Sequence, residues 1–351
     1  MFLLENYTLA ILFCFITMLC WGSWANTQKL AGKTWRYELF YWDYVIGVFI
    51  LCLLIALTIG NTGDSGRSFF ADLQQANGSA VLWAFCGGVV FNAANILLVA
   101  AIAIAGMSVA FPVGIGLALV LGVLLNYLNK PDGDPTFLFL GVGLVAVAIV
   151  VNALAYRKLP NQSSSIVVKG LILSVICGLL MSLFYLFVAK SLAVVQYADG
   201  TTNATVTAAT LKDGVLQSGQ MTVYTANFIF ALGILVSNFV FNTFVMLKPF
   251  VGSPVAPKEY FKGTSRDHLW GLIGGAIWGV GMSCNLVASN VASEAIAYGL
   301  GQGATMVSAF WGVFIWREFK TAPQETNRML ALMFLLFFVG LGLIIYAKSI
   351  T

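Results

Sequence analysis

The sequence predicts an all-α membrane protein of ten transmembrane helices, arranged as two inverted five-helix repeats. The first observation is composition: 60% of the 351 residues are hydrophobic and 9% are charged, and the mean hydropathy is +0.90. Such a balance is typical of integral membrane proteins. The second is a series of apolar stretches that reach the roughly 20 residues needed for a spanning helix. The third is a similarity between the two halves of the chain.

The apolar stretches follow one another with little chain between them for a soluble domain. We interpret the first as a retained helix and not as a signal peptide, because no basic residue precedes it and bulky tryptophans follow it. The six cysteines fall inside apolar stretches without metal-ligand spacing, so we predict packing roles, no disulfide and no cofactor. The approximate limits of the stretches are 6–29, 42–60, 78–103, 107–127, 136–155, 167–193, 222–247, 266–290, 293–317 and 327–347.

The charges of the loops predict the orientation of the chain, because lysine and arginine in short loops accumulate on the cytoplasmic side. Of the 18 basic residues, 13 lie in one set of loops and five in the other set, which includes both termini. We therefore predict that the basic loops are cytoplasmic and that both termini are external. The threonine-rich stretch 197–214 then lies outside, where its polarity predicts a flexible loop. The basic loops are 29–36, 157–169, 248–266 and 317–328.

Helices 3 and 4 resemble helices 8 and 9 in sequence. Residues 87–130 align without a gap with 274–317, an offset of 187 positions, and eight of the 44 pairs are identical. The chain thus divides into five-helix halves, 1–157 and 166–351. Because five is odd, the two halves must face the membrane in opposite directions, as in the inverted repeats of secondary transporters. In that plan the solute site lies near the midplane, between the repeats.

Glycines recur at matching places in helices 4 and 9. Gly114 and Gly116 match Gly301 and Gly303, and they let these helices approach closely or bend; helix packing alone is the alternative. Gln302 lies between the last two glycines. Its repeat partner is apolar, Ile115, so the shared architecture does not require an amide there. The amide serves either solute binding or a bond between helices.

Further amide and aromatic side chains are predicted to line a cavity between helices 1, 3, 4, 6, 8 and 9. Amides offer donors and acceptors without charge, which suits a neutral solute rich in amide or hydroxyl groups. Aromatic faces suit a planar ureide and the apolar face of a sugar ring equally well. Together with Gln302, the predicted lining is Trp21, Trp24, Asn26, Asn92, Asn95 and Asn285.

Acidic groups at membrane depth are few, and Glu294 and Asp43 are the candidates for carrying a proton. A proton-coupled carrier needs a group whose charge is neutralised during the cycle. The alternative for each residue is a first-turn acid stabilised by the helix dipole. Glu294 ranks first because its repeat partner is Met107, so the charge is present in only one half. We interpret His268, beside Asp267 at the start of helix 8, as an interfacial residue; a proton relay is the alternative.

Other classes of membrane protein fit the sequence less well. A channel needs an open polar or ringed pore, which a two-fold repeat with few charges does not favour. An enzyme needs a nucleophile, a metal cluster or a paired acid and base, and the sequence has neither HExxH nor a phosphate loop. We therefore expect a secondary transporter and not an enzyme. Its expected partners are a small solute, protons and the lipid bilayer, with no nucleic acid, and its expected state is a monomer or weak homodimer.

Several segments carry a resemblance to a known family: CWGSWANTQKLAGKTWRYELFYWDY (20–44), ADLQQANGSAVLWAFCGGVV (71–90), GVLLNYLNK (122–130) and SAFWGVFIWREFK (308–320). With them the chain resembles the ureide permease family of the drug/metabolite transporter superfamily and, more distantly, its glucose/ribose and rhamnose porters. The resemblance marks as positions of interest Trp21, Gly22, Trp24, Asp43, Gln302 and Trp311, without assigning their roles.

The resemblance implies the drug/metabolite transporter fold, a ten-helix inverted-repeat carrier that works by alternating access. It implies import of ureides such as allantoin, or of nucleobases, by proton symport in one branch, and import of sugars in the other. The chain lacks the long central cytoplasmic region of the plant ureide carriers. A short bacterial-type relative in the inner membrane is therefore implied.

Overall fold

The computed structural model describes residues 1–31, 35–105, 107–156, 158, 164–317, 319–320 and 322–350. These residues are mostly helical, as the long apolar stretches require, since a backbone in lipid must satisfy its own hydrogen bonds. The helices are α1 (Tyr7–Ser23), α2 (Ala25–Leu30), α3 (Tyr37–Leu57), α4 (Phe69–Gln75), α5 (Gly78–Ala105), α6 (Met107–Asn129), α7 (Pro135–Tyr156), α8 (Ser164–Ala189), α9 (Thr210–Asp213), α10 (Val223–Leu247), α11 (Ser265–Ala292), α12 (Glu294–Gln302), α13 (Ala304–Phe310) and α14 (Gln324–Ser349).

Eight helical segments of the described chain are long and apolar enough to cross a membrane, and the protein is an integral membrane protein. They are Tyr7–Leu30, Tyr37–Asn61, Gly78–Ile104, Pro135–Ala155, Val168–Ala189, Val223–Leu247, Ser265–Ala292 and Gln324–Ser349. The other two predicted stretches also form helix. α6 contains the shorter apolar segment Val113–Asn129. The stretch 293–317 is divided at Gly303 into α12 and α13, which is followed by the π-helical turn Trp311–Ile315.

Glycines allow two pairs of helices to pack backbone against backbone. A methyl group at Gly275 of α11 would lie 1.9 Å from the Tyr44 carbonyl oxygen of α3. One at Gly88 of α5 would lie 2.0 Å from the Phe230 carbonyl oxygen of α10. No side chain fits in either gap, so these contacts depend on glycine. Small residues at such contacts are the usual means by which membrane helices approach closely.

The connection between α8 and α10 carries regular structure, although its composition predicts a flexible loop. It forms a small antiparallel sheet in the order β2-β1-β3, from β1 (Val195–Tyr197), β2 (Thr202–Asn203) and β3 (Gly214–Leu216). Valine, threonine and tyrosine favour extended backbone, but strands this short are not stable alone. Tertiary contacts must hold them in place.

A buried carboxylate supplies those contacts. Asp72 of α4 is fully buried, and it accepts hydrogen bonds from Arg67 Nε (2.8 Å) and from the backbone N–H and hydroxyl of Thr222 (2.7 and 3.0 Å). Arg67 also donates to the carbonyls of Leu216 and Gln220. Charge-assisted bonds of this kind are stronger than neutral ones. They tie the sheet to the connection between α3 and α5.

Candidate functional site

A buried cavity of about 30 Å³ lies where α1, α5, α6, α8, α11, α12 and α13 meet. In terms of the predicted spans these are helices 1, 3, 4, 6, 8 and 9, the set expected from sequence. This is room for one or a few water molecules. A larger solute therefore enters only after the surrounding groups move apart. The wall consists of Trp21, Trp24, Phe91, Asn95, Leu98, Phe111, Ile115, Met181, Phe184, Trp278, Gln302 and Ala304.

Flat aromatic faces form much of this wall. Trp21 and Trp278 are stacked with ring centroids 5.7 Å apart and planes 11° apart. Phe91 lies between Trp278 (4.3 Å) and Phe184 (5.1 Å). Such rings offer broad apolar contact at little cost in side-chain entropy, and they suit a ligand with a flat face.

One amide of the wall is held by a directed chain of hydrogen bonds. Asn95 donates through Nδ2 to the Tyr41 hydroxyl (3.2 Å), which donates to Asn92 Oδ1 (2.9 Å). Asn92 in turn donates to the Ser237 hydroxyl (2.9 Å). These hydrogen bonds join α3, α5 and α10. They fix the orientation of the Asn95 side chain, and Asn92 lies behind the wall.

Gln302 supplies the second amide of the wall. It is 4% exposed and ends α12, and its side chain lies close to the Tyr298 hydroxyl one turn earlier. That hydroxyl is directed at the carbonyls of Ala118 (3.2 Å) and Met181 (3.1 Å). Ile115, the residue matched to Gln302 by the offset of 187, also lines the cavity. The amide is therefore buried at the centre of the bundle and directed away from lipid.

Two other amides predicted to line the cavity are bonded elsewhere. Asn26 accepts a hydrogen bond from Trp316 Nε1 (2.7 Å) and donates to the Ser23 carbonyl (2.9 Å). Asn285 donates to the Ala297 carbonyl (2.7 Å) across the junction of α11 and α12. Like Asn92, they are buried but lie outside the wall in this conformation.

Sequence reasoning found Trp21 and Trp24 but missed the other aromatic residues of the wall. Phe91 and Trp278 are separated by 187 positions, the offset of the proposed repeat, and they contact each other in the cavity. The same alignment that singled out Gln302 therefore pointed to them as well. Tyr44 packs against Trp24 at 4.7 Å, and its buried hydroxyl lies close to Asn95. No periodicity of the sequence indicates its position.

The four glycines make close contacts with neighbouring helices. A methyl group at Gly301 would lie 2.8 Å from the Trp21 ring, and one at Gly303 would lie 2.8 Å from Met18 Sδ. At Gly116 it would meet Ile149 at 2.8 Å, and at Gly114 the Ser174 carbonyl at 3.2 Å. These contacts show close packing, and Gly303 also marks the break between α12 and α13. A role in bending during transport stays a prediction.

The two candidate acids lie at opposite ends of the bundle and not in the cavity wall. Glu294 begins α12, is 5% exposed, and forms an ion pair with Lys130 at 3.0 Å. Its other carboxylate oxygen is buried without a hydrogen-bond partner among the described residues. The preceding Ser293 has φ = 77°, an uncommon value for a residue other than glycine.

Asp43, at the other end, is bonded to two side chains that are distant in sequence. Its carboxylate accepts hydrogen bonds from the Tyr260 hydroxyl and faces His268 Nδ1 at 2.9 and 3.0 Å. The sequence indicates no partner for His268; the structure pairs it with Asp43 and leaves its side chain 24% exposed. Asp267 instead caps α11, because its carboxylate accepts from the backbone N–H and hydroxyl of Thr264.

A bundle of apolar helices around a buried, amide-bearing and aromatic cavity is typical of membrane transporters. The family model described as Ureide permease matches residues 40–165 and 155–347. The chain belongs to this family. Its members are named as permeases, so the protein is a transporter and not an enzyme.

Curated plant proteins are similar over nearly the whole chain. Ureide permease 1 of Arabidopsis thaliana is 24% identical over 391 residues, covering 99% of each chain. Ureide permease 5 of the same plant is 25% identical over 404 residues, covering 98% of this chain and 95% of the relative. Probable ureide permease A3 of Vigna unguiculata is 25% identical over 381 residues, covering 92% and 99%. These plant relatives do not bear on the predicted bacterial membrane, which stays a prediction.

A solved structure, titled only "Crystal structure of protein", has the same fold. It matches with a TM-score of 0.59 and 14% identity, over 98% of this chain and 99% of its own. At that identity the similarity concerns the fold alone.

Proposed function

We propose that the protein transports a small, neutral, planar solute of the ureide class, such as allantoin, across the membrane. The observation that carries this proposal is the wall of the cavity, where the amides of Asn95 and Gln302 lie among flat aromatic faces. A ureide has amide donors and acceptors in a flat frame, so it can bond to both side chains while contacting the rings. The names of the relatives agree with this chemistry.

We further propose that transport occurs by alternating access between two inverted repeats, 1–157 and 166–351, of five helices each. Two pairs of residues related by the offset of 187 line the cavity together, Phe91 with Trp278 and Ile115 with Gln302. A site built from both halves changes its access when the halves rock about it. In this arrangement of the drug/metabolite transporter type, both termini are external and the basic loops cytoplasmic.

Proton symport is the coupling that we propose. Glu294 lies at the external end in this orientation, and Asp43 lies at the cytoplasmic end. Both carboxylates are buried, and each is balanced by a basic group, Lys130 or His268. Buried acids with such partners are typical of proton pathways in carriers. Their positions suit groups that respond when one end of the bundle opens.

The experiment is uptake of labelled allantoin by liposomes that contain the purified protein. We expect allantoin to accumulate in the liposomes when the outside is more acidic than the inside. We also expect exchange of solute when no pH gradient is present. Unlabelled nucleobase, glucose, ribose and rhamnose serve as competitors. Competition by a sugar, with no binding of allantoin, contradicts the ureide proposal and supports the sugar-porter alternative.

Charge-removing variants test the coupling residues. Glu294→Gln and Asp43→Asn are each measured for uptake and for exchange across a pH series. If the substituted residue carries the proton, its variant loses uphill uptake and the pH dependence of uptake. Exchange persists in that variant, because exchange does not require net proton movement. If both variants accumulate solute with the wild-type pH dependence, neither residue carries the proton.

A further inference from the structure

Three side chains from different parts of the sequence form a polar cluster at the end of the bundle that carries the basic loops, here called the basic end. Asp43 belongs to α3, His268 to α11, and Tyr260 to the short turn Pro257–Lys262 between α10 and α11. Both carboxylate oxygens of Asp43 lie within 3.0 Å of His268 Nδ1, and the Tyr260 hydroxyl donates to one of them. Asp43 is 2% exposed, whereas the His268 side chain is 24% exposed. The cluster therefore joins a buried carboxylate to a ring within reach of solvent.

Aromatic rings and glycines enclose the cluster tightly. The His268 ring meets Tyr260 at 4.7 Å and Trp35 at 5.2 Å, edge to face in both cases. A methyl group at Gly271 would lie 2.4 Å from Asp43 Cβ, and one at Gly263 would lie 2.6 Å from His268 Nε2. The turn that carries Tyr260 thus packs directly on α3 and α11. While the cluster is intact, these three elements cannot separate.

An open groove borders the cluster on the basic side. Its volume is about 550 Å³, and Trp35, Lys262, Gly263 and Asp267 are among its lining residues. Gly263 and Trp35 are the residues that pack against His268. Protons can therefore pass between the His268 ring and the solution without crossing the bundle.

The other charged groups around the cluster are bonded to other residues or exposed at the surface. On the α3 side, Arg36 is bonded to Glu38 at 2.6 Å, and in the turn Lys262 is bonded to Glu259 at 2.7 Å. On α11, the Asp267 carboxylate is bonded to Thr264, and Arg266 is exposed. Asp43 therefore has the imidazole of His268 as its basic partner. Imidazole is the side chain whose charge ordinarily changes between about pH 5 and pH 8.

α3 connects this cluster to the cavity. Tyr41, two residues before Asp43, holds the Asn95 amide, and Tyr44, the residue after Asp43, packs on Trp24 of the cavity wall. A shift of α3 at its basic end is therefore transmitted to the side chains that surround the solute.

We propose that Asp43, His268 and Tyr260 form a proton-operated latch, which keeps the basic end closed while His268 is protonated and opens when His268 releases its proton to that side. This inference rests on the proposed alternating-access transport, and it adds His268 and Tyr260 to the groups that control the basic end. With the proton bound, a full ion pair with a charge-assisted hydrogen bond holds α11 to α3. Loss of the proton through Nε2 leaves a neutral ring and a weaker attachment. α3, α11 and the turn then separate, and the cavity gains access to the basic side.

The first test follows the latch without any solute. A nitroxide is placed at the exposed Lys258→Cys, in the turn beside Tyr260, and its mobility is recorded between about pH 5.5 and pH 8, the range over which imidazole changes charge. Unsubstituted protein controls for labelling of the native cysteines, which are buried or half-buried. We expect the label to be restricted at low pH and mobile at high pH. His268→Gln makes the label mobile throughout, and Tyr260→Phe raises its mobility at low pH.

Lys262→Gln is the matched control, because it breaks an ion pair of the same turn without touching Asp43. It is expected to follow the unsubstituted chain. The latch is refuted if the mobility of the label in His268→Gln keeps the wild-type pH dependence. It is also refuted if this pH dependence is lost in Lys262→Gln but not in His268→Gln.

The second test uses liposomes. His268→Gln is expected to keep allantoin binding and exchange and to lose accumulation driven by a pH gradient. Full accumulation with wild-type pH dependence in this variant overturns the latch. Absence of allantoin uptake by the unsubstituted protein contradicts the proposed function instead, and the spin-label measurement then decides the latch by itself.

Discussion

Gln302→Ile is the substitution that most directly tests the cavity as the solute site. It removes the amide from α12 and leaves an apolar branched side chain of similar size, the residue already present at the repeat-related position Ile115. Gln302 is 4% exposed, so a solute group bonded to it cannot find water as a substitute partner. A buried hydrogen bond left without its partner costs about 1–3 kcal/mol. We therefore expect affinity for allantoin to fall by about 5-fold to 150-fold, at tenfold for every 1.4 kcal/mol.

Intrinsic fluorescence provides the assay, because Trp21, Trp24 and Trp278 line the cavity and report its occupation. Calorimetry on the same samples gives an independent dissociation constant. Ile115→Val is the matched control: it shortens another side chain of the wall by one methyl group and removes no hydrogen bond. This variant is expected to bind allantoin nearly as the unsubstituted chain does. An unchanged dissociation constant for a folded, membrane-inserted Gln302→Ile refutes a direct bond between this amide and the solute.

The remaining predictions concern packing. Gly275→Ala places a methyl group 1.9 Å from the Tyr44 carbonyl oxygen, and overpacking of this kind costs about 1–3 kcal/mol. Its thermal midpoint in detergent should fall below that of Gly143→Ala, where an added carbon meets nothing within 4 Å; equal midpoints contradict the close helix contact. Asp72→Asn removes the charge that anchors the sheet, and hydrogen bonds to a charged group contribute about 1.5–3 kcal/mol. Tryptic cleavage at Lys212 should accelerate while the helices remain intact, and unchanged cleavage shows that the anchor is elsewhere.

Several features of the cavity could be predicted because the chain repeats itself. The offset of 187 marked Gln302 as an amide without a counterpart, and the structure places it with Ile115 in one wall. Asn95 was predicted from its polarity within an apolar helix, since a buried amide must find a partner. The same reasoning applied to Asn26 and Asn285, whose partners prove to be Trp316 and the backbone of α12. A polar residue in an apolar helix shows that a buried amide needs a hydrogen-bond partner, but it does not show which group is that partner.

The sequence by itself determined the class of the protein, because 60% hydrophobic residues in stretches of about 20 permit little except membrane-spanning helices. Only the tertiary structure decided which side chains meet. Asp43 lies 217 residues from Tyr260 and 225 from His268, and no periodicity of a helix relates positions so far apart. Likewise, a threonine-rich loop becomes a sheet because Asp72, from another connection, binds its end. Hydropathy is a local property of the chain, whereas hydrogen bonds between helices depend on how rigid elements pack, and that follows from the whole fold.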